Sequence, residues 1–223
     1  MPTTLPLFPL NTVLVPGLVL PLHIFEPRYR ELIEQLLAMP DESEREFGVI
    51  AVRQGRSIDS MGVGALYEIG TATLLREADQ FEDGRYDIVT TGSRRFRLHS
   101  IDTSRPLITG DVEFLDEPSG ESDPALIMQV SRLFGTYRGL LAGQIDVEFA
   151  DDQGLPDDPT VLSYLITAAM VLMTEERQAL IGAADSRQRL AAARGLLTRE
   201  IGLIGALSAL PAIDLAFTQP SPN

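Results

Sequence analysis

The sequence predicts an α+β fold in which strands come first, with one early helix among them, and helices make up the rest. Three observations carry this. Apolar residues alternate with period two through most of residues 1–117, and the period changes to about three and a half beyond a stretch of Pro, Gly, Ser and acidic residues at 117–124. Asp-Pro pairs at 123–124 and 158–159 then stand where helices should begin, because proline in the first turn loses an amide bond that would be unmade anyway.

The first stretch, residues 5–30, places Pro6, Pro9, Pro16, Pro21 and Pro27 among Leu, Val, Ile and Phe. The prolines and Gly17 leave no run near the roughly 20 apolar residues a spanning helix needs. Proline cannot donate within a sheet, so the stretch is expected as short strands at edges and bends over 5–10, 13–15 and 18–25. Glu26-Pro27 opens a helix whose Tyr29, Leu32, Ile33, Leu36 and Leu37 form one apolar stripe, and Met39-Pro40 ends it. Residues 47–52 read as a strand. A long strand is expected over 64–77, with Ala65, Tyr67, Ile69, Thr71, Thr73 and Leu75 on one side. Asp83-Gly84 is its hairpin turn, since these residues tolerate positive φ. Tyr86, Ile88 and Thr90 continue the return strand, Gly92 is expected to break it, and 94–98 to restart it. A last strand covers 108–115.

Beyond the linker, Asp123-Pro124 starts a helix with Leu126, Ile127, Val130, Leu133, Phe134, Tyr137, Leu140 and Leu141 on one face. Asp158-Pro159 starts another, with Leu162, Leu165, Ile166, Ala169 and Met173 expected inside. Thr174, with Glu175 and Glu176 in the first turn, starts a third, and Asp185 caps the last, whose Leu190, Leu197 and Ile204 recur at seven. Pro211 should stop it. The expected units are 1–117, 118–211 and a flexible tail over 212–223.

Composition excludes several chemistries. There is no cysteine, so thiolate nucleophiles, disulfides and Cys-ligated metals are out. All 18 basic residues are arginine, and without lysine there is no P-loop lysine, Schiff base or Ser-Lys dyad. The net charge of −14 is spread, with 19 acidic and 11 basic residues (−8) in 1–120 and 13 and 7 (−6) in 121–223. Nucleic acid and anionic membranes are therefore not expected as partners. The N-terminus has no basic region before its apolar residues, which favours a cytoplasmic location.

The string LPLFPLNTVLVPG followed by LPLHIFEPRYRELI, together with FGVIAV, VGALYEIGTATLL and GRYDIVTTGSRRFRL further on, resembles the N-terminal, substrate-binding domain of Lon proteases in its free-standing form. The resemblance implies a PUA-like β pseudobarrel over 1–117 and a helical bundle after it. Lon proteases carry ATPase and Ser-Lys protease modules beyond this domain, and these 223 residues hold neither a Walker sequence nor a lysine. The implied role is non-catalytic recognition of unfolded or extended polypeptide, as a substrate-binding or adaptor module beside a protease or chaperone, with no cofactor and no metal. Proline-interrupted edge strands suit it, since they leave backbone groups for an added strand and apolar pockets beside them.

The expected peptide surface gathers Pro9, Pro16, Phe25, Glu26, Arg28, Tyr29, Arg95 and Phe96. In the competing expectation the prolines and aromatics are core, and Glu26, Arg28 or Arg95 form internal ion pairs. Arg94, Arg95 and Arg97 are read as strand residues on alternating faces, not as an RNA-binding run. A small-molecule or sensor module, with a pocket between barrel and bundle, is the alternative function. No catalytic residue is assigned. A hydrolase would require a Ser or Asp within hydrogen-bond reach of His23 or His99, the only two histidines. Asp151, Asp152, Asp157 and Asp158 lack calcium-loop spacing.

Overall fold

A computed structural model describes residues 3–58, 62–121, 123–142 and 154–208. Six strands form one mixed sheet: β1 (Thr3–Leu10), β2 (Val19–Ile24), β3 (Glu46–Ala51), β4 (Ile69–Gln80), β5 (Tyr86–Asp102) and β6 (Thr109–Phe114), in the order β2-β5-β4-β3-β1-β6. The sheet closes on itself because the second half of β5 also pairs with β6. Helix α1 (Pro27–Leu37) lies between β2 and β3 in sequence, and α2 (Pro124–Ala142), α3 (Pro159–Ala169), α4 (Thr174–Ile181) and α5 (Ser186–Ser208) follow the strands. The fold is thus α+β in the expected order.

Hydrogen-bond alternation explains where the prolines stand. In β1 the Leu7 amide donates to Ile108 on the β6 side, and Leu10 accepts from Val52 on the β3 side. Pro9, two residues after Leu7, therefore faces away from β3, where no described strand pairs with it. Pro6 faces β3 but precedes the first β1–β3 pair, Leu7 with Gly48. In β2 the Leu18 carbonyl accepts from Gly92, so Leu18, Leu20, Leu22 and Ile24 bond to β5, while Val19, Pro21 and His23 face the open edge. Each missing amide proton falls where the ladder does not need it.

Val13 to Val15, expected as a strand, is buried but unladdered: Val13 and Val15 face the helices, Leu14 faces the α1 core, and Thr71 Oγ1 and the Leu18 amide donate to the Leu14 and Val15 carbonyls. The expected strand over 64–77 starts only at Ile69, because residues Gly62–Ala65 form a 3₁₀ turn. The hairpin turn is as expected, with Gly84 at φ +81°.

Gly92 does not break β5, which runs unbroken through 17 residues. Its role is clearance. A Cβ there would sit 2.6 Å from the Val15 carbonyl oxygen, where the 15–18 turn docks on the strand. Just after it, Ser93 and Arg94 oppose Ala72 alone, a bulge that bends β5 from β2 toward β6.

One core packs α1 against Phe8, Ile24, Phe47, Leu75 and Ile88, and a second fills the closed end with Leu5, Leu7, Phe96, Leu98 and Val112. The helical half has its own core around Val130, Phe134, Tyr137, Leu162, Ile166, Leu190 and Leu197. Asp123, Asp158 and Asp185 cap α2, α3 and α5 as expected, each accepting from first-turn amides. In α3 the buried face is rotated from expectation. Leu165 and Ala169 are exposed, as is Met173 beyond the helix at the start of α4, whereas Ser163 and Thr167 are buried, their hydroxyls satisfied on the carbonyls of Thr160 and Ser163. Pro211 and the expected tail lie outside the described residues.

Sheet and helices meet at Val13, Val15, Ala51, Ile69, Tyr164 and Ile181. Beside them Arg95, 2% exposed, donates through Nε and Nη2 to the Glu117 carboxylate at 2.6 and 3.1 Å, and through Nη1 to the carbonyls of Ile181 and Ala183, both at 2.7 Å. The Tyr164 hydroxyl donates to Glu117 at 2.6 Å. Arg189, fully buried, lies 3.5 Å from Glu117, stacks on Tyr164 at 3.9 Å, and donates to the Leu180 carbonyl and Ser163 Oγ. Glu117 was expected to open a loose linker, and it is instead the counter-ion of two buried arginines.

Glu117→Gln leaves two buried guanidinium groups without their carboxylate and should lower the urea unfolding free energy by about 3–5 kcal/mol, whereas Arg94→Met, at an exposed pair with Glu46, should cost under about 1 kcal/mol. Gly92→Ala should destabilise through its backbone clash, while Gly135→Ala, on an open face of α2, should stabilise by up to about 1 kcal/mol. Burial pushes the Tyr164 hydroxyl well above its ordinary value of 10.0. The folded state then holds this proton more tightly than the unfolded chain, so the stabilisation is complete below pH 10 and is lost as pH rises above it. Tyr164→Phe should flatten that alkaline slope in unfolding curves measured from pH 9 to 11.

Candidate functional site

The open edges of β1 and β2 border one surface groove of about 480 Å³. Phe8, Pro9 and Leu10 line it from β1, Leu22 and His23 from β2, and Phe25, Glu26, Arg28 and Tyr29 from the start of α1, with Val52, residues 56–58 and Ile108 completing it. Consecutive residues of one chain segment thus supply most of its wall.

Each side chain is placed by a specific contact. Tyr29 is buried and stacks on Phe8 with ring centroids 4.0 Å apart, which fastens α1 to β1. Its burial raises the hydroxyl above the ordinary tyrosine range, against the opposing pull of Arg28. Arg28 lies over the Tyr29 ring at 4.7 Å and pairs with Glu26 at 2.7 Å. Phe25 is 61% exposed, one residue beyond β2 and beside His23. An aromatic ring so exposed at the rim of an apolar groove is a candidate contact residue.

Of the expected peptide surface, Pro9, Phe25, Glu26, Arg28 and Tyr29 come together here. Pro16 does not: it is buried and lines a second cleft of about 430 Å³, where Gly17, Leu18 and Ser93 face Thr160, Val161, Tyr164, Leu165 and Ala168. Arg95 and Phe96 are removed from any surface role. Arg95 is the sheet-to-helix link and Phe96 is fully buried in the closed-end core. The internal pair proposed for Arg95 does form, with Glu117 as partner.

Sequence reasoning missed the cluster beside the groove. His23 lies opposite Asp87 in the β2–β5 register, and Nδ1 is 2.6 Å from its carboxylate. Arg85 Nη1 lies 3.3 Å from Nε2, Phe81 is 6.1 Å away edge-on, and the Arg85 guanidinium lies 5.7 Å from the Phe81 ring. With Arg85 donating to Nε2, the ring proton sits on Nδ1 and is donated to Asp87. The acid needed for a hydrolytic dyad is therefore present, but a guanidinium occupies the position of a nucleophilic hydroxyl. A lone pair already bonded to an arginine is a poor base. His99 faces Glu113 at 3.3 Å. Only the strand register, which no local sequence signal gives, brings His23, Arg85 and Asp87 together.

Among the described residues no three His, Asp or Glu side chains gather as metal ligands, and no helix is long and apolar enough to cross a membrane. Asp158 is committed to capping α3, while Asp151 and Asp152 lie outside the described residues. A third cleft, of about 530 Å³, sets Asn11, Arg53 and Gln54 against Leu172, Met173 and Glu175. Both clefts between sheet and helices are open to solvent and not enclosed.

Comparison with known proteins gives this geometry a family. Residues 4–199 match the substrate-binding domain of ATP-dependent protease La (LON). Lon protease 2 of Syntrophobacter fumaroxidans is 25% identical over 204 residues, and Lon protease of Escherichia coli K12 is 23% identical over 204; each alignment covers 90% of this chain. The chain spans about a quarter of the length of these relatives. Among solved structures, a Lon N-terminal domain protein from Xanthomonas campestris superposes with a TM-score of 0.63 at 23% identity, covering 94% of this chain and 99% of its own. The N-terminal domain of a Mycobacterium avium complex Lon protease does so with a TM-score of 0.64 at 16% identity, covering 90% and 98%. The fold is shared with both, and the match over 4–199 establishes that this chain belongs to the Lon substrate-binding domain family.

Proposed function

We propose that the chain is a non-catalytic module that recognises exposed, extended polypeptide in the groove between β1 and β2. The observation that carries this reading is the groove itself: two strand edges without described partners, an apolar floor of Phe8, Leu10 and Leu22, and a rim bearing the exposed Phe25. Extended segments are bound by the combination of backbone edges and alternate side-chain pockets. Family membership supports the same role, since the matched domain is described as substrate-binding. An adaptor to a protease or chaperone, working in the cytoplasm, is the setting this reading assigns. Ser-Lys and thiolate chemistry on the bound chain is excluded, because these 223 residues contain no lysine and no cysteine.

Suppression of aggregation of a thermally unfolded client, and direct binding of reduced, carboxymethylated lactalbumin, test the reading. Phe25→Ser and Arg28→Ala alter the rim without opening the core, so their unfolding midpoints should stay near that of the parent. Loss of an aromatic anchor should weaken client binding by about tenfold. Client binding at parental affinity by both variants would remove the groove from the site. Hydrolysis of ATP or of the client by the purified chain alone would overturn the non-catalytic assignment.

A further inference from the structure

We infer that the turn between α3 and α4 is a second contact point for the same bound segment, which runs from the groove over Val52 and Arg56 into the neighbouring cleft and lays apolar side chains on Val171 and Met173. The inference rests on the polypeptide-recognition reading and extends its footprint. The groove and the cleft of about 530 Å³ share Val52 and Arg56 in their walls, so no more than a side chain separates them. The end of β1 passes from one to the other as well: Phe8, Pro9 and Leu10 line the groove, and Asn11 lines the cleft. Among the described residues the three most exposed large apolar side chains are Val171 at 72%, Met173 at 68% and Phe25 at 61%. Phe25 lines the groove, Met173 lines the cleft, and Val171 stands two residues before Met173 in the same turn.

The helix that follows does not account for Met173. It occupies the N-cap of α4, where Ser, Thr, Asp or Asn would offer an oxygen to the first-turn amides and methionine offers only a weak thioether acceptor. The other three helices after the strands each have an aspartate there. The turn is nonetheless a fixed platform. The Val171 amide donates to the Tyr137 hydroxyl at 3.0 Å, and Arg177 Nη2 donates to the Met170 carbonyl at 2.9 Å. Met170 and Met173 have extended backbone, Met170 is buried and Leu172 packs on the helical core, so alternation turns Val171 and Met173 outward. An unbranched, polarisable methionine accommodates varied side chains, which suits a surface that meets many sequences. Across the cleft Asn11 and Gln54 are exposed, and Arg53 is held by donating to the Leu66 carbonyl at 2.9 Å. Side-chain amides and a guanidinium hydrogen-bond the backbone of an extended chain whatever its sequence. The occupant is therefore an unfolded polypeptide with apolar side chains, long enough to touch both Phe25 and Met173.

Thiol protection tests this on the full chain. The sequence has no cysteine, so Met173→Cys carries its only thiol, and the thiols of carboxymethylated lactalbumin are blocked. Alkylation of that thiol by iodoacetamide should slow by about tenfold at saturating client, because the reaction needs access to the sulfur. The same measurement on Met128→Cys, at an exposed position of α2, should show no change. Met173→Ser supplies a better cap and keeps the backbone bond from residue 173 to Glu176, so its unfolding midpoint should not fall below the parent's, while client binding should weaken by about tenfold. Client binding without slowing at Met173→Cys, equal slowing at Met128→Cys, or parental affinity in Met173→Ser would overturn the second contact and leave recognition in the groove standing. Failure of the client to bind the parent chain would instead overturn the recognition reading on which the inference rests.

Discussion

The carboxylate of Glu117 holds two buried arginines that would otherwise have no counter-charge, and the relation of sheet to helices depends on it. Arg95 comes from the middle of β5 and Arg189 from the first turn of α5, so the two guanidiniums bring opposite halves of the fold to one anion. The group carries one negative and two positive charges, and the excess is spread over the carbonyls of Leu180, Ile181, Ala183 and Asp116. Three of these belong to the C-terminal end of α4 or follow it directly, where the helix dipole favours a cation. An eight-residue helix with no basic residue in its last turn is thereby ended by side chains from elsewhere. Desolvation pulls the Arg189 guanidinium below its ordinary pKa, which is the cost of this placement. A buried pair contributes little net stability over an apolar substitute, but its geometry admits few alternatives. The apolar seam of Val13, Val15, Ala51, Ile69, Tyr164 and Ile181 lies beside it, and Gln178 adds a second buried polar link by donating to the Ile69 carbonyl.

The same strand carries the other defining constraint. β5 holds Tyr86 to Thr91 against β2, passes under the 15–18 turn at Gly92, and reaches Phe96 and Leu98 in the closed end. The bulge at Ser93 and Arg94 lets one continuous strand serve two neighbours on one side. Beside it, Arg94 and Arg95 take opposite fates: Arg94 lies over Phe114 at 3.5 Å and pairs with Glu46 in solvent, while Arg95 is enclosed. Two adjacent arginines are thus divided between surface and interior by strand alternation.

That division marks how far local pattern reaches. The order of elements, the α1 stripe, the hairpin at Gly84 and the three Asp caps were legible, because each rests on spacing or on one residue's backbone preference. Five of the eight expected surface residues meet in one groove because they come from one contiguous stretch. Arg95 and Phe96 were misplaced for the opposite reason: their environment is made by Glu117, α4 and α5, whose proximity has no local signature. The setting of His23 has no local signature either, since Asp87 approaches it only through the β2–β5 register. Leu165 and Met173 were assigned to the interior by hydrophobicity alone, although the two hydroxyls of Ser163 and Thr167 could be buried at no loss by bonding within their own helix.

The groove itself follows from a ladder that is not made. β1 and β2 are consecutive and antiparallel, the arrangement in which neighbouring strands ordinarily pair as a hairpin. Two features oppose that closure. The connecting residues are drawn away into the seam, where Val13 and Val15 are buried against the helices. In addition, the unladdered edges carry Pro9 and Pro21, which bring no donor to any further ladder. α1 joins the two walls, because it leaves β2 through Phe25 and Glu26 and returns to β1 through the Tyr29–Phe8 stack. Proline protects an open edge from pairing with its own neighbour or with another copy, yet leaves its carbonyls able to accept from a chain that brings its own amides. The prolines that interrupt the apolar run of residues 5–30 are what leave the groove-lining edges of β1 and β2 without a described partner strand.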